Sequence, residues 1–465
     1  MNRNEQFKRL VIFVEMAAII ALETIVFWNI WIIYYNKGIP IPYFKRGHWV
    51  LLIFYVLITY FFSRLYGGFK IGYLRLSDVI YSQILSLVLV NFITYLQICL
   101  IGTKIMSVMP ILLMTSIDIG LICFWSLISR YVYSKLYPPR KMIMIYGDRD
   151  STELIKKMGS RRDKYDIHEA IHISEGEDTI LEKILAYEAV IICDVPAHIR
   201  NVILKYCFKY SIRVYVTPKL SDIIILGSDN IHLFDSPLLL SRNSGLNLEQ
   251  SFAKRILDLV VSLILIIITS PFMIIIAILV KTYDGGPILY KQERLTLNNK
   301  KFIIYKFRSM KMDSETHGAR LAMKNDDRVT PVGRVLRNIH FDELPQLFNI
   351  LKGDMSLVGP RPERPSIAAQ YEEDIPEFSF RLKVKAGLTG YAQIYGKYNT
   401  TPYDKLKLDL LYFENYSIWL DFKLLLMTFK ILFQKENTEG VDEGQQTAVK
   451  KENLKNSESQ NKLND

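Results

Sequence analysis

Apolar residues in this chain come in long runs rather than at alternating positions. Residues 10–34, 49–62, 79–101 and 108–129 are almost continuously hydrophobic. Each approaches the ~20 residues a helix needs to cross a bilayer; the second run is short and extends to either side. The first is too long and bulky for the apolar part of a signal peptide, and no small-residue cleavage site follows it. A fifth run, 256–280, stands alone further along. Between the fourth and fifth the pattern changes. KMIMIYGD (141–148), AVIICDV (189–195) and IRVYVTP (212–218) are apolar runs of strand length, and residues 151–159 and 197–209 between them look helical. Strands alternating with helices predict a small Rossmann-like α/β domain with a parallel sheet. A dinucleotide site would place a Gly-rich loop after the first strand; only Gly147 is present, so that signal fails.

Four parts follow from this pattern. Residues 1–137 are predicted to be a membrane α-helical bundle of four transmembrane helices, ending before Pro138-Pro139. Residues 138–240 form the α/β domain. Residues 241–435 carry the fifth run and an α-rich domain, after a linker over 241–253. The stretch 436–465 is rich in Lys, Glu, Asn, Ser and Gln and has no aromatic residue, so it is predicted to be disordered.

Charge placement orients the membrane segments. Arg3, Lys8 and Arg9 precede the first run, Arg64, Lys70 and Arg75 lie between the second and third, and Arg130, Lys135, Arg140 and Lys141 follow the fourth. Only Lys37, Lys45, Arg46 and Lys104 fall on the alternate side. The positive-inside rule puts both ends of the block in the cytoplasm. The fifth run has Lys254-Arg255 at one end and Lys281 at the other, which favours two cytoplasmic ends. Ser270-Pro271 sits in its middle, and proline cannot donate the helical hydrogen bond. A helix-break-helix that dips into the membrane and returns is the expectation.

Composition agrees. Half of the 465 residues are hydrophobic, and mean hydropathy is +0.14, an excess concentrated in the runs. Lys and Arg number 58 against 47 Asp and Glu, a net +11. The excess lies at membrane edges and near candidate phosphate sites, so no nucleic-acid partner is expected. Cys99, Cys123, Cys193 and Cys207 lack metal-ligand spacing and read as reduced packing residues.

The chemistry concentrates after the fifth run. Asp342-Glu343 opens LPQLFNILKG, an amphipathic helical pattern closed by Gly353. Asp is a favoured N-cap, and a helix N-terminus stabilises its negative charge. A carboxylate kept ionised there is what nucleophilic attack requires. Lys306, Arg308, Arg334 and Arg337 surround the pair in sequence and could bind a diphosphate. Arg361, between Pro360 and Pro362, has a stiff backbone and a pre-aimed guanidinium; either X-Pro bond could be cis. AGLTGYAQIYGK (386–397) contributes Gln393 and glycines suited either to ligand approach or to plain turns. Residues 417–435 fit a helix at the membrane interface or one packed on a core.

KFRSM, GRVLRNIHFDELPQLFNILKGDMSLVGPRPE, AGLTGYAQIYGK and LDLLYFENYSIWLDFKLLLMTF occur in order over about 251–433. Together they resemble the bacterial sugar transferase family, the monotopic polyprenol-phosphate phosphoglycosyl transferases. The preceding helices and α/β domain resemble its long form, which starts capsule, exopolysaccharide or O-antigen repeat units. The resemblance implies an enzyme, a phosphotransferase for substituted phosphate groups. Asp342 would attack a UDP-sugar, UMP would leave, and undecaprenyl phosphate would take the sugar-phosphate from the enzyme. It implies Mg2+ at Asp342, Glu343 as dyad partner, Arg337 and Arg361 as phosphate ligands, and Ser270-Pro271 as the membrane break. The implied setting is the cytoplasmic face of a bacterial inner membrane, with a homodimer through the helix block and polysaccharide assembly proteins as further partners. Tyr391 and Lys397 stand where the family usually has Trp and Arg, which leaves sugar recognition open. The rival readings are a non-catalytic scaffold and a nucleotide sensor acting through the α/β domain.

Overall fold

The computed structural model describes residues 6–43, 45–147, 151–233, 235–241, 245–311, 328–396 and 400–432; the tail expected over 436–465 lies outside them. The chain forms two compact units, Met1–Pro218 and Lys219–Asp465.

The first unit opens with helices α1 (Lys8–Ile30), α2 (Lys45–Tyr66), α3 (Leu76–Gly102) and α4 (Met109–Leu136). Pro110 starts α4, where a missing N–H costs nothing, and Thr103 ends α3 in the left-handed region at φ 51°. Inside the block, Phe27, Trp31, Tyr55, Ile98 and Met114 belong to one apolar cluster. Ile19, Leu87, Ile122 and Trp125 belong to another. Leu10, Phe13, Val50, Leu100 and Phe124 are among the apolar side chains exposed outside. Each of the four helices is long and apolar enough to cross a membrane.

A small parallel sheet follows. It comprises β1 (Arg140–Tyr146), α5 (Thr152–Gly159), β2 (Tyr165–His172), α6 (Glu177–Ile184), β3 (Ala189–Cys193), α7 (Ala197–Lys209) and β4 (Arg213–Val216). The strand order is β2-β1-β3-β4 and every pairing is parallel. The three strands expected from apolar runs are present. Strand β2 was not expected: its sequence is polar, and within it only Ile171 is buried. All four cysteines are free thiols.

The second unit begins with α8 (Leu220–Leu226) and the antiparallel hairpin β5 (Asp229–Leu233) and β6 (Ser236–Leu240). Helix α9 (Leu248–Asp284) then runs for 37 residues. After it come the antiparallel pair β7 (Leu289–Leu295) and β8 (Lys301–Phe307), α10 (Pro331–Asn338), α11 (Gln346–Lys352), β9 (Ser356–Val358), α12 (Pro365–Asp374), β10 (Gly387–Thr389), α13 (Tyr391–Tyr395), α14 (Pro402–Glu414) and α15 (Ile418–Leu432).

Helix α9 is the spine of this unit. It starts at Leu248, inside the stretch read as a linker. Its buried residues Lys254, Asp258, Ser262, Met273, Ile276 and Val280 share one stripe about 100° wide at 3.6 residues per turn. Val261, Leu265 and Ile266 pack on the core of Phe302, Leu347, Ile350 and Leu357. Met273, Ile276 and Val280 pack on Phe307 and Leu336. Along the opposite face Ile264, Ile267, Ile268, Ile274, Ile275 and Ile278 are exposed.

A break was expected at Ser270-Pro271, but the helix continues through it. Pro271 leaves the Ile267 carbonyl, four residues back, without its N–H partner. The Ser270 hydroxyl donates to that carbonyl at 2.9 Å, as hydroxyls do for proline in membrane helices. Removing it with Ser270→Ala should destabilise the chain by about 1 kcal/mol. Pro271→Ala restores the amide, so Ser270→Ala made in that background should cost much less. Thermal unfolding of the single and double variants measures the coupling; additive effects would show that the hydroxyl does not replace the amide.

Candidate active site

The site is assembled by pinning three short segments to one another. Asn349 of α11 is fully buried and acts as a piece of strand: its Oδ1 accepts from the Tyr305 amide at 3.0 Å, and its Nδ2 donates to the Ile303 carbonyl at 2.7 Å. This staples α11 to the edge of β8. Gly353 ends α11 in the left-handed region at φ 92°. Arg255 of α9 donates to the last carbonyls of α11, Ile350 at 2.6 Å and Leu351 at 2.7 Å.

The third segment is Ser356–Glu363. Strand β9 pairs in parallel with β10. The glycines here serve backbone packing: a Cβ on Gly387 would come within 2.6 Å of Gly359 Cα. Asp258 accepts from the Ser356 hydroxyl at 3.0 Å and the Leu357 amide at 2.9 Å. Buried Lys254 holds the Val358 carbonyl. Beyond the turn, Arg381 donates to the Arg361 carbonyl and Arg294 to the Pro362 carbonyl, each at 3.1 Å. Arg381 is itself paired with buried Asp409 at 2.7 Å. The Arg361 backbone is thus gripped from both sides, and no peptide bond among the described residues is cis.

Asp342 and Glu343 lie on a short 3-10 turn, Phe341–Glu343, before α11. Asp342 is not the helix N-cap expected from sequence, since α11 begins at Gln346 with Pro345 before it. The turn starts from His340 at φ 57°, a left-handed conformation uncommon for a residue with a side chain. Sequence reading missed His340, because nothing in its neighbours announces a positive φ. Burial and the cations Arg361 and Lys306 depress the His340 pKa, against the pull of Glu343.

The cations sort themselves between the two acids. Glu343 Oε1 receives Lys306 Nζ at 2.6 Å and Arg361 Nη2 at 3.1 Å. Burial opposes the charge on Glu343, but Lys306 and Arg361 outweigh it and hold its pKa well below the usual carboxylate range. Asp342 is 8% exposed. It has no ion pair or hydrogen bond among the described residues. Burial pushes its pKa up to about 6, Glu343 adds to the rise, and Lys306, Arg337 and Arg361 counter it from a distance. One carboxylate is therefore saturated by cations, while its neighbour is desolvated, unpaired and largely ionised at neutral pH.

The other expected residues are placed differently. Arg337 is near enough to act on Asp342, whereas Arg334 is exposed on α10 and no contact among the described residues brings it to the pair. Arg308 turns away, into an ion pair with Asp284 and a bond to the Val280 carbonyl at 3.5 Å, and so ties β8 to the end of α9. Gln393 donates to the Leu388 carbonyl at 3.3 Å, and no contact among the described residues joins it to the acids. The Tyr391 ring lies tilted against Tyr395, with centroids 4.5 Å apart, while Lys397 lies outside the described residues. Sequence reading also missed Arg294, Arg381 and Asn349. Their partners are backbone groups or residues far along the chain.

The sequence profile of the family described as Bacterial sugar transferase matches residues 249–435, the segment that builds this site. A UDP-glucose:undecaprenyl-phosphate glucose-1-phosphate transferase of Caulobacter vibrioides is 38% identical over 189 residues, 40% of this chain and 71% of that protein. The chain belongs to the bacterial sugar transferase family. A UDP-N-acetylgalactosamine-undecaprenyl-phosphate N-acetylgalactosaminephosphotransferase of Aeromonas hydrophila is 42% identical over 185 residues, 39% of this chain and 44% of that one. A second UDP-glucose:undecaprenyl-phosphate glucose-1-phosphate transferase, from Klebsiella pneumoniae, is 42% identical over 209 residues, 44% of this chain and 43% of that one. The chain thus spans less than half the length of these last two relatives.

The grip on the Arg361 loop can be tested by stability alone. Arg381→Met frees the Arg361 carbonyl and strands the Asp409 carboxylate, which is 1% exposed. Breaking one side of a buried pair costs about 3–5 kcal/mol. Thermal melts should show a marked drop for Arg381→Met and recovery of most of it in Arg381→Met/Asp409→Leu.

Proposed function

We propose that this protein transfers a sugar-1-phosphate from a UDP-sugar to undecaprenyl phosphate through a covalent intermediate on Asp342. The observation that carries this reading is the split between the acids: the cations are spent on Glu343, so the lone pairs of Asp342 are left free. An Asp342 oxygen attacks the sugar-bearing β-phosphorus. The bond from that phosphorus to the bridging oxygen breaks, and UMP leaves with the electron pair. The sugar-phosphate is then an acyl phosphate on Asp342. A phosphate oxygen of undecaprenyl phosphate attacks the same phosphorus, forms the polyprenyl diphosphate sugar and returns Asp342 as a carboxylate. Lys306 and Arg361, held on Glu343, stand ready to stabilise the charge built up at phosphorus, and Arg337 joins them from α10.

A Mg2+ ion fits the donors present. Adjacent carboxylates, one unpaired, match a cation that takes one or two protein oxygens and fills its shell from substrate phosphates. Asp342, with the second oxygen of Glu343, would hold it; when bound it neutralises diphosphate charge.

In this proposal α1 to α4 span the membrane, the α/β part is a Rossmann-like domain, and α9 does not cross. Support for the last point is mechanical. Near its start α9 is docked by Lys254 on Asp421 at 2.6 Å, and at its end by Asp284 on Arg308, both within the same unit. Crossing would carry one of these anchors to the far side. The exposed isoleucine face instead suits lipid while the buried stripe keeps the site at the cytoplasmic surface. Dimerisation and polysaccharide assembly partners belong to the same proposal.

Purified protein with Mg2+, a panel of UDP-sugars and undecaprenyl phosphate should release UMP, and Asp342→Ala should abolish release. UMP production by that variant would sink the nucleophile assignment; a scaffold or a sensor releases none at all.

The acid limb of the pH profile gives a second test. The ionised form of Asp342 is lost as pH falls through about 6 without Mg2+, and a bound Mg2+ lowers that point, so kcat/KM for UMP release should fall at or below it, approaching tenfold per pH unit. Glu343→Gln removes a like charge and turns Lys306 and Arg361 towards Asp342. Both effects lower the Asp342 pKa, so the limb should move to lower pH whatever happens to the maximal rate.

A further inference from the structure

The interior of the four-helix block is not uniformly apolar. Glu23 on α1 is 3% exposed and Asp118 on α4 is 0% exposed. The two acids lie close enough for their charges to interact, and Tyr55 on α2 lies within reach of both. Thr59 follows Tyr55 by one helical turn, and α3 contributes Asn91 and Thr94; all of these are buried. The layer has a definite place along each helix. Glu23 sits between Ile20 and Phe27, and Asp118 between Met114 and Ile122, so each acid separates the two apolar clusters of the block. Asn91 and Thr94 sit in the same way between Leu87 and Ile98. Glu23, Tyr55, Thr94 and Asp118 lie about seven to ten residues, or ~10–15 Å, from the ends of their helices at Ile30, Lys45, Gly102 and Met109. That is the depth of a bilayer centre.

Two carboxyl groups at that depth need positive charge. Among the described residues no lysine, arginine or histidine pairs with either acid. An isolated carboxylate in such surroundings is costly. Protons alone leave a second deficit. Both oxygens of Asp118, the Thr94 hydroxyl and Oδ1 of Asn91 are buried without a hydrogen-bond partner, and the Tyr55 and Thr59 hydroxyls have at most each other. No donor reaches either oxygen of Asp118, and one bound proton would still leave the other oxygen bare. A cation satisfies several oxygens at once. The donors are all oxygen, with neither sulfur nor ring nitrogen, which selects a hard alkali or alkaline-earth ion over a transition metal.

We propose that Glu23, Asp118, Tyr55, Thr59, Asn91 and Thr94 form a hard-cation site at the centre of the four-helix block, separate from the acids of the second unit. Binding there joins all four helices through one charge.

The full chain, stripped with EDTA and held in nanodiscs, is melted in N-methylglucamine chloride and then with sodium, potassium, magnesium or calcium at constant ionic strength. At least one ion should raise Tm saturably, by roughly 5–10 °C at a hundredfold excess over Kd. The shift should vanish in Glu23→Gln and Asp118→Asn and persist in Asp342→Ala. A wild-type Tm that no ion moves overturns the site, as does an equal shift in the Asp118→Asn and wild-type chains. Should those variants fail to fold, carbodiimide labelling of wild-type Glu23 and Asp118, located by mass spectrometry, decides the matter. Protection by the ion supports the site, and labelling indifferent to all four ions overturns it.

Discussion

Lys254 is 5% exposed, and the three donors of its ammonium are all satisfied inside the second unit. They meet the Asp421 carboxylate at 2.6 Å, the Tyr412 hydroxyl at 3.0 Å and the Val358 carbonyl at 2.9 Å. The Tyr412 hydroxyl in turn donates a hydrogen bond to Asp421 at 2.6 Å. Four elements, α9, β9, α14 and α15, meet at this one charge. A buried lysine is tolerable only when paired and fully hydrogen-bonded, and removing either partner costs about 3–5 kcal/mol. The position of the Arg361 loop relative to α9 is therefore set by electrostatics rather than by apolar contact, which would allow β9 to slide. Asp258 adds a second tie one turn along the same face of α9.

That fixed loop explains how two adjacent carboxylates acquire different chemistry. Arg361 arrives from β9 and Lys306 from β8, and both segments are pinned before their side chains reach the pair. Both cations land on Glu343. Asp342 is then left with burial as its main influence and retains a basic, unpaired carboxylate. The dipole of α11 is not needed for this, and the helix starts too late to supply it in full. Reactivity is assigned by which acid the cations reach.

Continuous apolar runs were legible in the sequence because burial on all sides, or lipid on the outside, leaves no polar positions to confuse the period. This holds for α1 to α4 and for β1 and β3. Strand β2 failed for the opposite reason: as an edge strand of mixed polarity its backbone, not its side chains, earns its place in the sheet. Pro271 misled because a proline in isolation predicts an interruption, while the preceding Ser270 hydroxyl supplies the missing hydrogen bond. In the site, Asp342, Glu343, Lys306, Arg337 and Arg361 were legible as a charge pattern close in sequence. Arg308 carried the same pattern and proved to hold α9 instead. The supports Asn349, Arg294 and Arg381 were not legible, since each acts on a backbone carbonyl or amide that leaves no mark on residue identity.

The same helix that carries Lys254 also places the site beside an apolar surface. One stripe of α9 is committed to the globular body from Lys254 to Val280, and the remaining circumference exposes isoleucine, leucine and phenylalanine. A helix with one side on a globular body and one apolar side over its whole length suits a protein–lipid boundary. Asp342 follows from that boundary. Phe341, its neighbour, packs edge-on against Phe272 at 6.3 Å, next to Pro271. The carboxylate is thus placed within one side chain of α9, while half of the Arg361 side chain stays exposed. The proposed reaction, in which the acid meets a soluble diphosphate first and a lipid phosphate second, needs that location.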